Sequence, residues 1–192
     1  MKFILKLLVF IIFSFNSQAK EFKSKFNFTF ELPKDYEIVS NTNLYQIYNS
    51  SHKDPKIKQQ IQIFSKRLKE QDVEILFNFK SSLLNTISIL VFNNSYQVNE
   101  KKVLKQCKKI LKIEKRFSKK KVDLIECRMH RYPKFADWSM YRENQSSFFE
   151  SLLTQQIIFM FKKKEYVITV GCAEQCNETR NDLFKLVKSI KF

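Results

Sequence analysis

Glycine is all but missing: the 192 residues hold one, Gly171. A single glycine cannot build a phosphate-cradling loop or a dinucleotide fingerprint, because both need several residues free of a Cβ where backbone approaches the ligand. Histidine is almost as scarce, with His52 and His130 the only two. H-E-x-x-H and G-x-S-x-G motifs are absent as well, which removes the usual zinc-protease and nucleophile-elbow readings. Long apolar runs are confined to the first twenty residues. Thr86–Phe92 and Ile157–Phe161 are of strand length and end in polar residues, well short of the roughly 20 residues that span a bilayer.

What is present begins with the N-terminus. Lys2 gives a short basic start, Phe3 to Phe15 are apolar apart from Lys6 and Ser14, and Ser17 and Ala19 place small residues at −3 and −1 of a cleavage site. That layout predicts a secretory signal peptide over 1–19, cut after Ala19, and a domain over 20–192. No cysteine follows the expected cut, so a lipid anchor is not indicated. The expected product is soluble and exported, periplasmic or secreted, and the bacterial periplasm is favoured. Asn27-Phe28-Thr29 and Asn177-Glu178-Thr179 would be glycosylation sites in a eukaryotic secretory pathway.

Cys107, Cys127, Cys172 and Cys176 are an even set in an exported chain, read most simply as two disulfides. Four cysteines allow three pairings and spacing alone does not choose; a local Cys172–Cys176 bridge with Cys107–Cys127 is favoured. Cys127 with His130, and Cys172 with Cys176, carry ligand types that suit zinc. On a strand, however, residues three apart face opposite ways. No metal or other cofactor is therefore expected, and C-x-x-x-C is not the redox spacing C-x-x-C.

Hydrophobic residues make up 44% of the chain, enough for a packed interior. Phe26, Phe28 and Phe30 alternate with polar residues, the period of a half-buried strand, and Leu32-Pro33-Lys34-Asp35 ends it. Further strands are predicted at Tyr36–Val39, Asn43–Tyr48 and Gln59–Ser65, followed by a helix over Lys69–Leu84. A strand at Ser88–Phe92, a helix at Asn99–Ile110 and a hairpin of Leu111–Phe117 with Val122–Arg131 come next. Tyr132–Ser147 reads as an aromatic loop, Ser151–Phe161 and Glu165–Cys172 as a second hairpin. Thr179 and Asp182 read as a capping box before a C-terminal helix with Leu183, Leu186, Val187 and Ile190 on one stripe. The fold class is α+β, a single domain with an antiparallel sheet flanked by helices.

The opening FNFTFELPKDYEI and the closing YVITVGC…LFKLVKSIKF resemble the PsbP-like fold of photosystem II extrinsic proteins. The resemblance implies an antiparallel sheet between helices, a final helix closing the chain, and use as a binding or assembly factor without a shared active site. It implies no catalytic residues.

Charge is the strongest compositional signal. Lys and Arg number 35 against 19 acidic residues, a net +16, which falls to +14 once Lys2 and Lys6 leave with the signal. Residues 101–121 hold eleven basic residues and one acid, Glu114. On the predicted helix Lys101, Lys105, Lys108 and Lys112 share a face opposite the apolar stripe. A basic amphipathic helix suits an anionic membrane surface or an acidic protein. The plainer explanation is a solvated face enriched in lysine by AT-rich coding, which the abundance of Lys, Asn, Ile and Phe also suggests. Nucleic acid fits the charge, but export argues against it and this run lacks the interleaved aromatics of a single-strand binder. A second feature is Tyr132, Phe135, Trp138 and Tyr141, spaced by three with cations nearby, which could line a cleft or form a lid over the sheet.

The function expected is thus a non-enzymatic, exported binding or assembly factor with a basic face. The alternative is a small periplasmic, hydrolase-like enzyme whose site is scattered over loops, drawing on His52 or His130 and carboxylates such as Asp54, Asp123 or Asp137.

Overall fold

The computed structural model describes residues 20–40, 44, 46, 55–78, 85–94, 99–117, 121–131, 136–144, 151–173 and 176–192. The predicted signal peptide, His52, Asp54, Tyr132 and Phe135 lie outside them.

Nine strands and three helices are present among the described residues: β1 (Lys20–Lys23), β2 (Thr29–Leu32), β3 (Tyr36–Ile38), α1 (Pro55–Glu70), β4 (Val73–Asn78), β5 (Thr86–Asn93), α2 (Glu100–Phe117), β6 (Val122–Arg131), β7 (Ala136–Asn144), β8 (Leu152–Phe161), β9 (Lys164–Cys172) and α3 (Cys176–Ser189). Seven strands form an antiparallel sheet in the order β3-β4-β5-β9-β8-β7-β6, and β1 pairs with β2 in a separate ribbon.

Side-chain alternation sends each strand's residues to two faces. Leu76, Ile87, Ile89, Ile157, Phe159, Tyr166, Ile168 and Val170 meet Leu183, Leu186 and Val187 of α3 and the ribbon residues Phe28 and Phe30. The other face carries two separate clusters. Val73, Ile75 and Phe77 pack on Ile61 and Phe64 of α1. Trp138, Met140 and Ile158 pack on Val103 and Cys107 of α2. The result is α+β, a sheet with helices on both faces and a C-terminal helix.

Several local expectations are corrected. Gln59–Ser65 is not a strand but the middle of α1. Its Gln-Ile-Gln-Ile run imitates period two, yet Ile61 and Phe64 are buried while Ile63 is exposed, the helical spacing. Val73–Asn78 is a strand, not helix: both its faces are covered, so its first five residues are buried and alternation disappears. Leu44 and Gln46, placed in a predicted strand, are helical. Leu111–Phe117 continues α2 rather than starting a hairpin. Ala136–Asn144 is a strand where a loop is predicted. Thr179 is buried inside α3, which starts at Cys176, so it is no cap.

With so little glycine, turns use other residues in the left-handed region: Asn27 (φ 65°), Asp35 (φ 65°), Lys162 (φ 44°) and Lys163 (φ 63°). The last two form the β8–β9 hairpin, whose closing pair is Phe161 with Lys164. Positive φ at both central positions is the type I′ arrangement that normally selects Asn-Gly. Gly171 itself has no positive φ, and a Cβ there would lie 3.8 Å from Thr86 Oγ1, an ordinary contact.

Candidate functional site: the basic helix and the sheet edge beside it

Helix α2 begins with Asn99, whose side-chain oxygen accepts from the Lys102 backbone N–H at 3.0 Å while its carbonyl accepts from Val103 N–H at 2.9 Å. That is an N-cap, supplying an acceptor to a donor the helix cannot satisfy. Val103 and Cys107 are buried against the sheet. At 100° per residue, Lys101, Lys105, Lys108 and Lys112 fall within roughly 60° of arc on the far side and span about 16 Å along the axis. All four are exposed, as are Lys102, Lys109, Lys115 and Arg116. Among the described residues none of the four lysines is ion-paired. Leu104 and Ile113 flank this basic face and are 45% and 44% exposed, which marks them as apolar borders rather than core.

Two attachments hold the helix in place. Near its middle, Cys107 is disulfide-bonded to Cys127 of β6, with Cα atoms 6.5 Å apart. Toward its end, Glu114 takes the Arg142 guanidinium in two contacts, Nε to Oε2 and Nη2 to Oε1, each at 2.6 Å. Arg142 Nη1 also donates to Gln156 Oε1 at 3.0 Å, and Gln156 Nε2 donates to Thr169 Oγ1 at 3.2 Å. The Glu114–Arg142 pair lies on the sheet-facing side of α2 and is bidentate, the geometry in which Arg and carboxylate interact most strongly. The second favoured disulfide, Cys172–Cys176, also forms and joins β9 to the start of α3. All four sulfurs are thus committed, which takes the thiolates from the zinc alternative. Two disulfides fit an oxidising compartment. No helix among the described residues is long and apolar enough to cross a membrane.

Between the first turns of α2 and β6 lies a cleft of about 490 Å³, lined by Asn99, Val103 and Leu104 from the helix and Cys127, Arg128 and Met129 from the strand. Sequence reasoning missed it. Its walls come from segments more than twenty residues apart, and its one local signal is Leu104, an apolar residue off the buried stripe.

The aromatic series does not converge on one place. Trp138 and Tyr141 share β7 but lie three apart, so they point to opposite faces. Trp138 is buried under α2, whereas the Tyr141 ring lies 4.1 Å from the Arg180 guanidinium carbon. Arg180 Nε donates to Gln155 Oε1 at 2.6 Å, which fixes that stack.

His130 sits beside Ser139, with Nε2 and Oγ 2.6 Å apart, and Arg128 Nε donates to the same Nε2 at 2.9 Å. Both contacts fall on the same ring nitrogen, Nε2. Burial, then the Arg128 charge, push His130 below the usual histidine range, with Glu126 opposing. A serine–histidine contact is the start of a nucleophile pair. Here Ser139 is only 1% exposed and the Arg128 guanidinium crowds the same ring nitrogen. The contact is thus a part-buried hydrogen bond that joins β6 to β7.

No family model and no curated protein matches the chain. Solved structures do, at low identity. Cyanobacterial PsbP from Synechocystis sp. aligns over 90% of this chain and 91% of its own, with a TM-score of 0.58 and 9% identity. The Saccharomyces cerevisiae Ran-binding protein Mog1p aligns over 90% and 94%, with a TM-score of 0.52 and 8% identity. A Bacteroides thetaiotaomicron structure aligns over 91% of this chain and 48% of its own, with a TM-score of 0.51. The chain therefore has a PsbP-like fold.

Proposed function

We propose that the protein is an exported, non-enzymatic binding or assembly factor that meets an anionic partner through the basic face of α2. The observation that carries this reading is the set of four exposed lysines, none ion-paired among the described residues, on one narrow arc of a helix anchored to the sheet by a disulfide and a part-buried ion pair. A solvated face does not require so firm a mounting. The partner is an anionic lipid surface or an acidic protein, and the compartment is the bacterial periplasm or the exterior, after cleavage behind Ala19. The PsbP-like fold and the two disulfides support this reading. So does a fold neighbour whose name is that of a protein-binding protein, the yeast Ran-binding protein.

Each lysine near an anionic bilayer contributes ~1 kcal/mol, so four acting together supply ~4 kcal/mol, a factor of roughly a thousand. The test is co-sedimentation of the chain from Lys20 onward with anionic and neutral vesicles at low and high salt, and binding of a labelled acidic peptide under the same conditions. Salt-sensitive binding to vesicles or peptide, lost in the Lys101/Lys105/Lys108/Lys112→Ala variant, is expected. Binding to neither, or binding unchanged in the variant, contradicts the proposal.

A further inference from the structure

The geometry points to a docking groove between α2 and the β6 edge that takes an extended, acidic segment of a partner protein as an added strand, with an apolar side chain in the cleft. This rests on the anionic-partner reading above and narrows it from a charged surface to a peptide site.

The two ends of the main sheet differ. β3 has three residues, and very short edge strands are one way proteins discourage further pairing. β6 has ten, and β7 is its one strand partner among the described residues. A register shift falls between Leu124 and Glu126, after which pairing to β7 runs regularly to Arg131. Leu124 and Ile125, at the irregularity, are 40% and 51% exposed. A long terminal strand offers backbone groups to an extended peptide, and pockets for alternate side chains then supply specificity.

The cleft provides such a pocket. Leu104 on the outer border of α2 and Cys127–Met129 of β6 both line it, so a strand added along Glu126–Met129 would run beside it. Val103, Leu104 and Met129 make its interior suited to an aliphatic side chain. Charge selects the rest of the segment. Lys101 and Lys108 stand one turn either side of Leu104 on the same border of α2, and all three are exposed. Residues two positions either side of the anchored one share its face and would meet these cations, which favours carboxylates there. Glu100, also on the lining, disfavours a carboxylate at that end.

The probe is a labelled peptide of about ten residues with a central valine, glutamate two residues to either side of it on the same face, and serine at the remaining positions. Its control has serine in place of that valine, with the same charge and no apolar side chain. The glutamate–valine peptide is expected to bind at least tenfold tighter than the control and to slow hydrogen exchange at the Glu126–Met129 amides. Leu104→Asn, at an exposed position that folding tolerates, is expected to weaken it at least fivefold and to leave anionic-vesicle binding within twofold of wild type. Equal affinity for the two peptides, or unchanged exchange along β6, overturns the groove. If anionic-vesicle binding persists in that case, the broader reading of α2 stands. Loss of both peptide and vesicle binding defeats the broader reading too.

Discussion

Removing the Glu114 carboxylate should destabilise the protein by about 3 kcal/mol. The Arg142 side chain is 6% exposed and Glu114 26% exposed, so Glu114→Ala leaves a buried guanidinium with the Gln156 oxygen as its one remaining acceptor among the described residues. Breaking one side of a buried pair typically costs ~3–5 kcal/mol, and partial access of water to Glu114 places this case at the low end. For a chain of this size, ~3 kcal/mol lowers Tm by roughly 6–12 °C. Replacing both partners with apolar residues of similar volume, Glu114→Leu with Arg142→Met, should return stability to within about 1 kcal/mol of wild type, because no charge is then stranded. Urea unfolding followed by tryptophan fluorescence suits the question. Trp138 is the chain's only tryptophan and packs in the cluster beneath α2, so it reports this contact. A single variant within 1 kcal/mol of wild type, or a double variant no better than the single, would refute the claim that this pair fastens the helix.

Three further outcomes follow from the same contacts. Replacing Cys107 and Cys127 together by serine opens a crosslink between residues twenty apart and should cost about 3 kcal/mol by the loop-entropy relation, read as a fall in urea midpoint; no change would mean the bridge adds nothing. Lys162→Asn with Lys163→Gly relieves two left-handed residues of the β8–β9 turn and should add about 1 kcal/mol, measured by thermal unfolding. His130 is held below its ordinary 6.5 in the fold, so the unfolded chain takes up that proton first. Its share of stability is complete above pH 6.5 and is lost as pH falls toward the folded pKa. Stability profiles from pH 7.5 down to 5 should separate wild type from His130→Gln, and parallel profiles would remove His130 as the cause.

Much of the frame was legible because the relevant signals are local. Period-two alternation marks Phe28–Phe30, and Glu165–Cys172 gives a strand buried at every second position. The lysine-rich face of α2 and its opposing stripe follow from residues three and four apart. Errors arose where burial depends on distant partners. Val73–Phe77 loses its alternation because α1 covers one face and the ribbon and α3 side the other. Trp138 and Tyr141 look like a series in sequence, yet strand geometry sends them to opposite faces. The two disulfides were among three possible pairings, and the sheet register that brings Cys127 under Cys107 is not encoded near either residue. The cleft was hidden for the same reason, since Met129 and Leu104 meet only after α2 folds back along β6.

Position rather than total charge is what the binding role of α2 requires, and a charge-matched comparison separates the two. Lys101, Lys105, Lys108 and Lys112 are changed to Gln in one variant; Lys69, Lys163, Lys164 and Lys188, also exposed, are changed to Gln in another of identical net charge. Affinity for anionic vesicles and for the glutamate–valine peptide is then measured at fixed salt. The α2 variant is expected to lose binding at least a hundredfold while the control stays within about threefold of wild type. Equal losses in the two would show that the protein's overall positive charge, and not this helix, makes the interaction.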